Sequence, residues 1–231
     1  MKKLALITSL AFAGFAGAAS AATQTFSETY GPATTNWNHN LGISQFDATL
    51  GTLTSATISI TGSWTQHFEA ENLGASIDTL TPQALVNFYF RDAPGASAAG
   101  NLAGASDSAT GASFNATAWD NTTDYAGTSG TVFGNISGAT TFSFNFANLA
   151  ALTGTGTLGD LGYNVRATGN GSVGSDNGNL QTLIQTTSGY NLNVVYTYDA
   201  QLPPPSVPEP ASLALIAAGL LGFGVSRKKR A

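Results

Sequence analysis

"TFSFNF", residues 141–146, sets Phe142, Phe144 and Phe146 on every second position, with Ser143 and Asn145 between them. Alternate side chains of an extended chain point to opposite faces, so the three rings share one face and the polar pair takes the other. This is the pattern of a half-buried antiparallel strand. It recurs at Ala56, Ile58 and Ile60, at Val86, Phe88 and Phe90, and at Tyr190, Leu192, Val194, Tyr196 and Tyr198. Between these runs lie turn-formers: Gly31-Pro32, Asp92-Ala93-Pro94-Gly95, residues 127–130, and a Gly- and Asn-rich tract over 168–179. No segment of the body carries a sustained 3.6-residue apolar period with caps. The pattern predicts an all-β fold, an antiparallel β-sandwich over residues 23–200, with a jelly roll as one arrangement it can take. Residues 93–113, "APGASAAGNLAGASDSATGAS", carry almost no bulky side chain and read as a long surface loop.

Composition narrows what such a sandwich can do. There is no cysteine, so disulfides and thiolate metal sites play no part. Charged residues are only 9% of the chain, against roughly 25% in ordinary globular proteins. Between residues 23 and 207 lie two cations, Arg91 and Arg166, and twelve of the thirteen acids, a net charge of −10. A body of that sign repels phosphate backbones, which excludes nucleic acid as a partner.

The remaining cations sit at the two ends. Lys2 and Lys3 precede an apolar stretch over 4–18, and Ala19-Ser20-Ala21 supplies a small-residue cleavage site near Ala21 or Ala22. Residues 1–22 therefore read as a secretory signal peptide. At the other end, residues 201–210 form a Pro-rich linker that closes with Val207, Pro208, Glu209 and Pro210. Its prolines favour an extended, polyproline-like spacer. Residues 211–226 contain no charge and read as a single transmembrane helix, and 227–231 form a basic tail with Arg227, Lys228, Lys229 and Arg230. The first fifteen residues of that segment, 211–225, span about 22 Å as a helix, short of the roughly 30 Å hydrocarbon core. Cations after such a segment stay on the cytoplasmic side, which orients the body outward.

The triplet Pro208-Glu209-Pro210, a short apolar segment and a terminal basic cluster, in that order, resemble the PEP-CTERM sorting signal of Gram-negative bacteria. That resemblance implies a partner, an exosortase-type membrane enzyme that processes the tail, and a route: export, retention at the inner membrane, then the cell surface or the extracellular space. The stretch "TTNWNHNLGISQFDATLGTLTSATISITGSW", residues 34–64, is similar to the opening of the choice-of-anchor E domain through Trp37, Asn38, Phe46, Asp47, Leu50, Gly51, Thr52 and Leu53. This second resemblance implies a surface module. From the residues themselves, Asp47 and Gly51 read as a corner between strands, with Asp47 capping its own backbone.

Two clusters could carry chemistry. In "WTQHFEAE", residues 64–71, strand geometry puts His67, Glu69 and Glu71 on one face and Trp64, Gln66 and Phe68 on the other. A histidine beside carboxylates can bind a metal or move protons, but a solvent-facing polar stripe has the same pattern. His39 is the second histidine of the chain. Asp120 and Asp124 in one segment, and Asp176 with Asn177 in another, offer oxygen ligands of the kind Ca²⁺ accepts, although neither completes a known loop motif. No catalytic constellation stands out and no cofactor beyond Ca²⁺ is suggested. The expected role is a non-enzymatic structural or adhesive surface protein associated with exopolysaccharide. A carbohydrate- or calcium-binding module, with Trp64, Trp119 or Tyr125 stacking on sugars, is the alternative, and a hydrolase using His67, Glu69 or Glu71 comes third.

Overall fold

The alternating runs become strands, and their order reveals the architecture. Along the chain these are β1 (Ala21–Thr34), β2 (Trp37–Ser44), β3 (Phe46–Asp47), β4 (Gly51–Asn72), β5 (Asp78–Arg91), β6 (Asn101–Thr110), β7 (Phe114–Ala116), β8 (Gly130–Asn145), β9 (Thr153–Gly154), β10 (Asp160–Gly174) and β11 (Leu180–Ala200). The computed structural model describes residues 21–92, 100–154, 160–201 and 216. The signal segment with Ala19, the linker with Val207, Pro208, Glu209 and Pro210, the apolar segment 211–226 apart from Ile216, and Arg227, Lys228, Lys229 and Arg230 lie outside the described residues. Residues 21–199 form one compact unit, and residues 1–20 with 200–231 are assigned to another, of which Ala200, Gln201 and Ile216 are described.

One sheet runs β1-β11-β4-β8 and the other β2-β10-β5-β6, with the short β7 pairing on the same side of β5 as β6. The chain crosses between sheets after β1, β2, β4, β7, β8 and β10, with β3 and β9 lying on the second and fifth of these crossings. This interleaving is that of an eight-stranded jelly roll, so the expected antiparallel sandwich is present in that form. A two-residue parallel pair, β3 with β9, lies outside both sheets.

The inner faces carry the alternation read from sequence. Ala56, Ile58, Ile60, Trp64 and Phe68 of β4 are buried, as are Val86, Phe88 and Phe90 of β5 and Tyr190, Leu192, Val194 and Tyr196 of β11. The phenylalanines of the opening stretch line up beside β4, Phe144 opposite Ile58 and Phe142 opposite Ile60. Their rings reach the other sheet: Phe144 and Phe146 lie 5.8 and 6.4 Å from Phe90, and Phe146 lies 5.7 Å from Tyr163. Contacts of this geometry add to the area they bury. Sheet separation is set where Gly62 faces Phe88, because a Cβ on Gly62 would stand 2.6 Å from that ring.

The expected corner after β3 is present. The Asp47 carboxylate accepts from the backbone N–H of Thr49 at 2.9 Å and from its hydroxyl at 2.7 Å, and these bonds hold its pKa below the usual carboxylate value. Phe46 beside it is fully buried between Tyr196 and Tyr198.

Three local expectations need correction. Residues 101–110 are not surface loop but strand β6, paired along β5 from Gln83 to Arg91. The ladder of β5 supplies the backbone partners, and only small inward side chains such as Ala103, Ala105 and Ala109 fit there. Residues 168–174 belong to β10, the turn being confined to 175–179. Gly171 serves the interior instead, since a Cβ there would meet Ile184 at 2.8 Å and Phe68 at 3.2 Å. Gly31-Pro32 lies at an irregularity within β1 and does not end it.

Because Phe90 is fully buried and its ring is shared by Phe144, Phe146 and Tyr163, Phe90→Ala is expected to cost about 3–5 kcal/mol. Urea unfolding should show a lower midpoint at unchanged slope.

Candidate functional site

Three connections meet at one end of the sandwich: 73–77 between β4 and β5, 117–129 between β7 and β8, and 175–179 between β10 and β11. Asn72, the last residue of β4 and fully buried, ties them together. Its Nδ2 donates to the carbonyls of Ser76 and Thr117 at 2.8 and 2.7 Å, while its Oδ1 accepts from the Gly74 N–H and from Asn177 Nδ2. Leu73 and Asn179 exchange a further pair of bonds, and the Trp119 N–H reaches the Gly74 carbonyl. The loops form one surface, called here the loop pole.

Six of the body's twelve acids belong to this pole: Glu69, Glu71, Asp78, Asp120, Asp124 and Asp176. Neither arginine does. Arg91 ends β5 at the opposite extreme from Asp78, and Arg166 stands within β10 between Tyr89 and Asn38. Three of these carboxylates, Asp78, Asp120 and Asp124, are held by short polar bonds. Burial acts most strongly on Asp78 and opposes its charge, yet Ser175 Oγ and the N–H groups of Asp176, Thr79 and Asn177 together keep its pKa low. Asp120 accepts from Thr122 Oγ1 at 2.6 Å and Thr122 N at 2.9 Å, which lowers it as well. Asp124 accepts from Ala126 N at 2.9 Å.

The structure divides the sequence candidates. His67 and Glu69 do pair, Nε2 to Oε1 at 3.0 Å, with Asn135 Oδ1 3.1 Å from the other ring nitrogen. Glu71 does not join them on an open face. It points outward like its neighbours, but the turn over 126–130 covers it completely. Local sequence could not reveal that cover, because it comes from a loop some fifty residues further along. His39 is elsewhere, stacked on Tyr30 at 4.0 Å with its Nδ1 2.8 Å from the Tyr190 hydroxyl. Burial, then the Glu28 charge, push the Tyr190 phenol well above its usual value.

Asp120 and Asp124 share one loop, while Asp176 and Asn177 sit in another and serve largely structural bonds. Among the described residues no three His, Asp or Glu side chains gather into a metal-holding group. Of the aromatics expected to meet a sugar, Trp64 must be withdrawn: it is buried, and its Nε1 donates to Asp107 Oδ2 at 2.9 Å. Trp119 is 41% exposed on the pole. Tyr125 is half-buried, and its hydroxyl accepts from Gln181 Nε2. Beside them a depression of about 510 Å³ is lined by Ile77, Asp78, Thr79, Asn115, Ala116, Thr117 and Asp176.

The far end of the sandwich is where the chain enters and leaves. Ala21 pairs with Asp199, and Ala22 with Tyr198. From Leu180 at the pole to Asp199, an extended strand spans roughly 60 Å. Among the described residues no helix is long and apolar enough to cross a membrane.

Comparison with known proteins identifies the tail. Residues 206–229 match the family model of the PEP-CTERM protein-sorting motif, which indicates an exported protein sorted by exosortase. No curated protein matches the chain. Among solved structures, the infectious bursal disease virus VP2 subviral particle is 10% identical, the alignment covering 79% of this chain and 38% of that one, with a TM-score of 0.20. A structure of the Gx strain of the same virus is 9% identical over 79% and 37%, with a TM-score of 0.17. This chain thus spans well under half the length of either, and likeness at that level carries no argument.

The His67–Glu69 pair has a pH signature. The hydrogen bond to the Glu69 carboxylate, opposed by some burial, raises the His67 pKa above the ordinary 6.5. A raised histidine pKa stabilises the fold fully below the unfolded value and loses that contribution as pH climbs through the folded value. Glu69→Gln should return the His67 titration, followed by NMR, towards 6.5, and should remove the extra stability seen on the acid side of neutrality.

Proposed function

We propose that this chain is a cell-surface or extracellular-matrix protein with a non-enzymatic structural or adhesive role in the exopolysaccharide layer. In this reading a signal peptide over 1–22 directs export, residues 211–226 retain the chain at the inner membrane, and exosortase processes it near Val207, Pro208, Glu209 and Pro210. The sorting motif at 206–229 is the observation that carries the proposal. The strand that precedes the motif in sequence ends at the edge of the sandwich opposite the loop pole. The similarity of residues 34–64 to the choice-of-anchor E domain belongs to the same proposal.

The test is the mass and C-terminal peptide of protein recovered from cell envelope and medium. Wild type should lack the segment after the motif, whereas the Pro208→Ala, Glu209→Ala, Pro210→Ala triple variant should keep it and stay in the membrane fraction. A full-length tail in both would make the segment a plain anchor and overturn the processing step.

A second reading, a carbohydrate-binding module, is favoured by Trp119, exposed on the pole with its Nε1 fixed on the Thr122 carbonyl at 2.8 Å. A ring whose Nε1 and own backbone N–H are both fixed is a ready stacking surface. Trp119→Ala should then weaken binding to exopolysaccharide at least tenfold in a pull-down titration. Equal binding by both proteins would dismiss Trp119 as a sugar platform.

A further inference from the structure

Two carboxylates are buried at the loop pole, and they are treated differently. Asp78 is met by a hydroxyl and by backbone N–H groups. Glu71, fully buried, has no hydrogen-bond partner at either oxygen. Its Oε2 lies so close to Gly130 that a Cβ there would collide with it, and the backbone N of Ala126 borders the same point. Only glycine at 130 admits the carboxylate.

That spot is one wall of the turn over 126–130, closed by the Gly130 N–H on the Ala126 carbonyl. Asp124 Oδ1 accepts from Ala126 N at 2.9 Å. Asp120 Oδ2 would stand 3.2 Å from a Cβ on Gly127, and the buried Ser129 hydroxyl lies near enough to Asp120 to help lower its pKa. Glu71 at Gly130 and Asp120 at Gly127 therefore both border this one short turn. An ionised carboxylate buried without a donor needs a counter-charge. Among the described residues no side chain of the body supplies it, because both arginines belong to other parts of the body and His67 is engaged by Glu69 and Asn135.

We propose that Glu71 and the 126–130 turn hold a divalent cation of the calcium type. The charged ligands are the carboxylates of Glu71 and Asp120, and neutral oxygens of the turn and water fill the rest of the shell. Calcium accepts six to eight oxygens in an irregular shell and draws readily on hydroxyls, carbonyls and water. Three converging carboxylates are therefore not required. An all-oxygen set without a free imidazole or a thiolate does not suit zinc. Asp176 and Asn177, equal candidates by composition, are left out: Asn177 is spent on Asn72 and Asn179, and the backbone N–H of Asp176 serves Asp78. The bound ion draws the 117–129 loop onto β4, and with it Trp119 and Tyr125. The inference does not depend on how the tail is processed.

The experiment is calcium titration of the purified exported chain in detergent, first stripped with a chelator, read by calorimetry and by thermal unfolding. With two charged ligands the affinity should fall in the range of about 0.1–1 mM typical of extracellular modules. At about 10 mM calcium the midpoint should rise by roughly 4–8 °C. Glu71→Gln should abolish the rise, and Asp120→Asn should weaken binding at least tenfold. Asp176→Asn, outside the site, should respond as wild type does. No calcium-dependent rise in wild type, or an undiminished rise in Glu71→Gln, overturns the proposal. Should Glu71→Gln fail to fold, the exposed Asp120→Asn decides alone, and an unchanged affinity there is equally fatal.

Discussion

The ring of Phe88 lies against the backbone of Gly62, and that contact determines how far apart the two sheets stand. A side chain on residue 62 would push β5 away from β4 and open the core that Ile58, Ile60, Phe90 and Tyr196 fill. Close packing of this sort tolerates little change in volume, because an interior at crystal-like density has no slack to absorb it. The chain has no disulfide to share the task. Trp37 closes one side of Phe88 at 6.5 Å, and the Trp64 Nε1 bond to Asp107 clips β4 to β6 across the sheets.

β4 links this core to the loop pole. Its inner face supplies core residues from Ala56 to Phe68, and its final residues, Glu71 and Asn72, organise the loops beyond the hydrophobic interior. The two ends of the sandwich differ accordingly. At one, Ala21 pairs beside Asp199 and the chain continues toward the sorting motif. At the other, an amide hub replaces apolar packing, and half of the body's acids gather with neither arginine among them. A buried amide that satisfies its donors and acceptors on three loops specifies one arrangement of those loops, since any displacement strands polar groups away from water.

The outer faces are built almost without charge, from threonine, serine and asparagine paired across strands. Thr57 bonds to Asn145 at 2.7 Å and Thr61 meets Thr141 at 2.9 Å. Each such pair adds little, but together they occupy side chains that would otherwise be free to engage neighbours. The pole, with half of the body's acids, is the exception.

Sequence by itself determined the strands with bulky alternation, the all-β class, the Asp47 corner and the sorting tail, because each is written in adjacent residues whose chemistry acts locally. Tertiary structure alone decided the rest. It made residues 101–110 a strand, since an edge of β5 offers hydrogen bonds to any chain small enough to lie against it. It turned the glycines at 169 and 171 from turn-formers into points where side chains of β11 approach the β10 backbone. It buried Trp64 under β6, and it separated Glu71 from His67 and Glu69 by laying a distant loop over one and leaving the others open. Burial is a property of what arrives from elsewhere in the chain. A period of two can say which face a side chain takes, and it cannot say what covers that face.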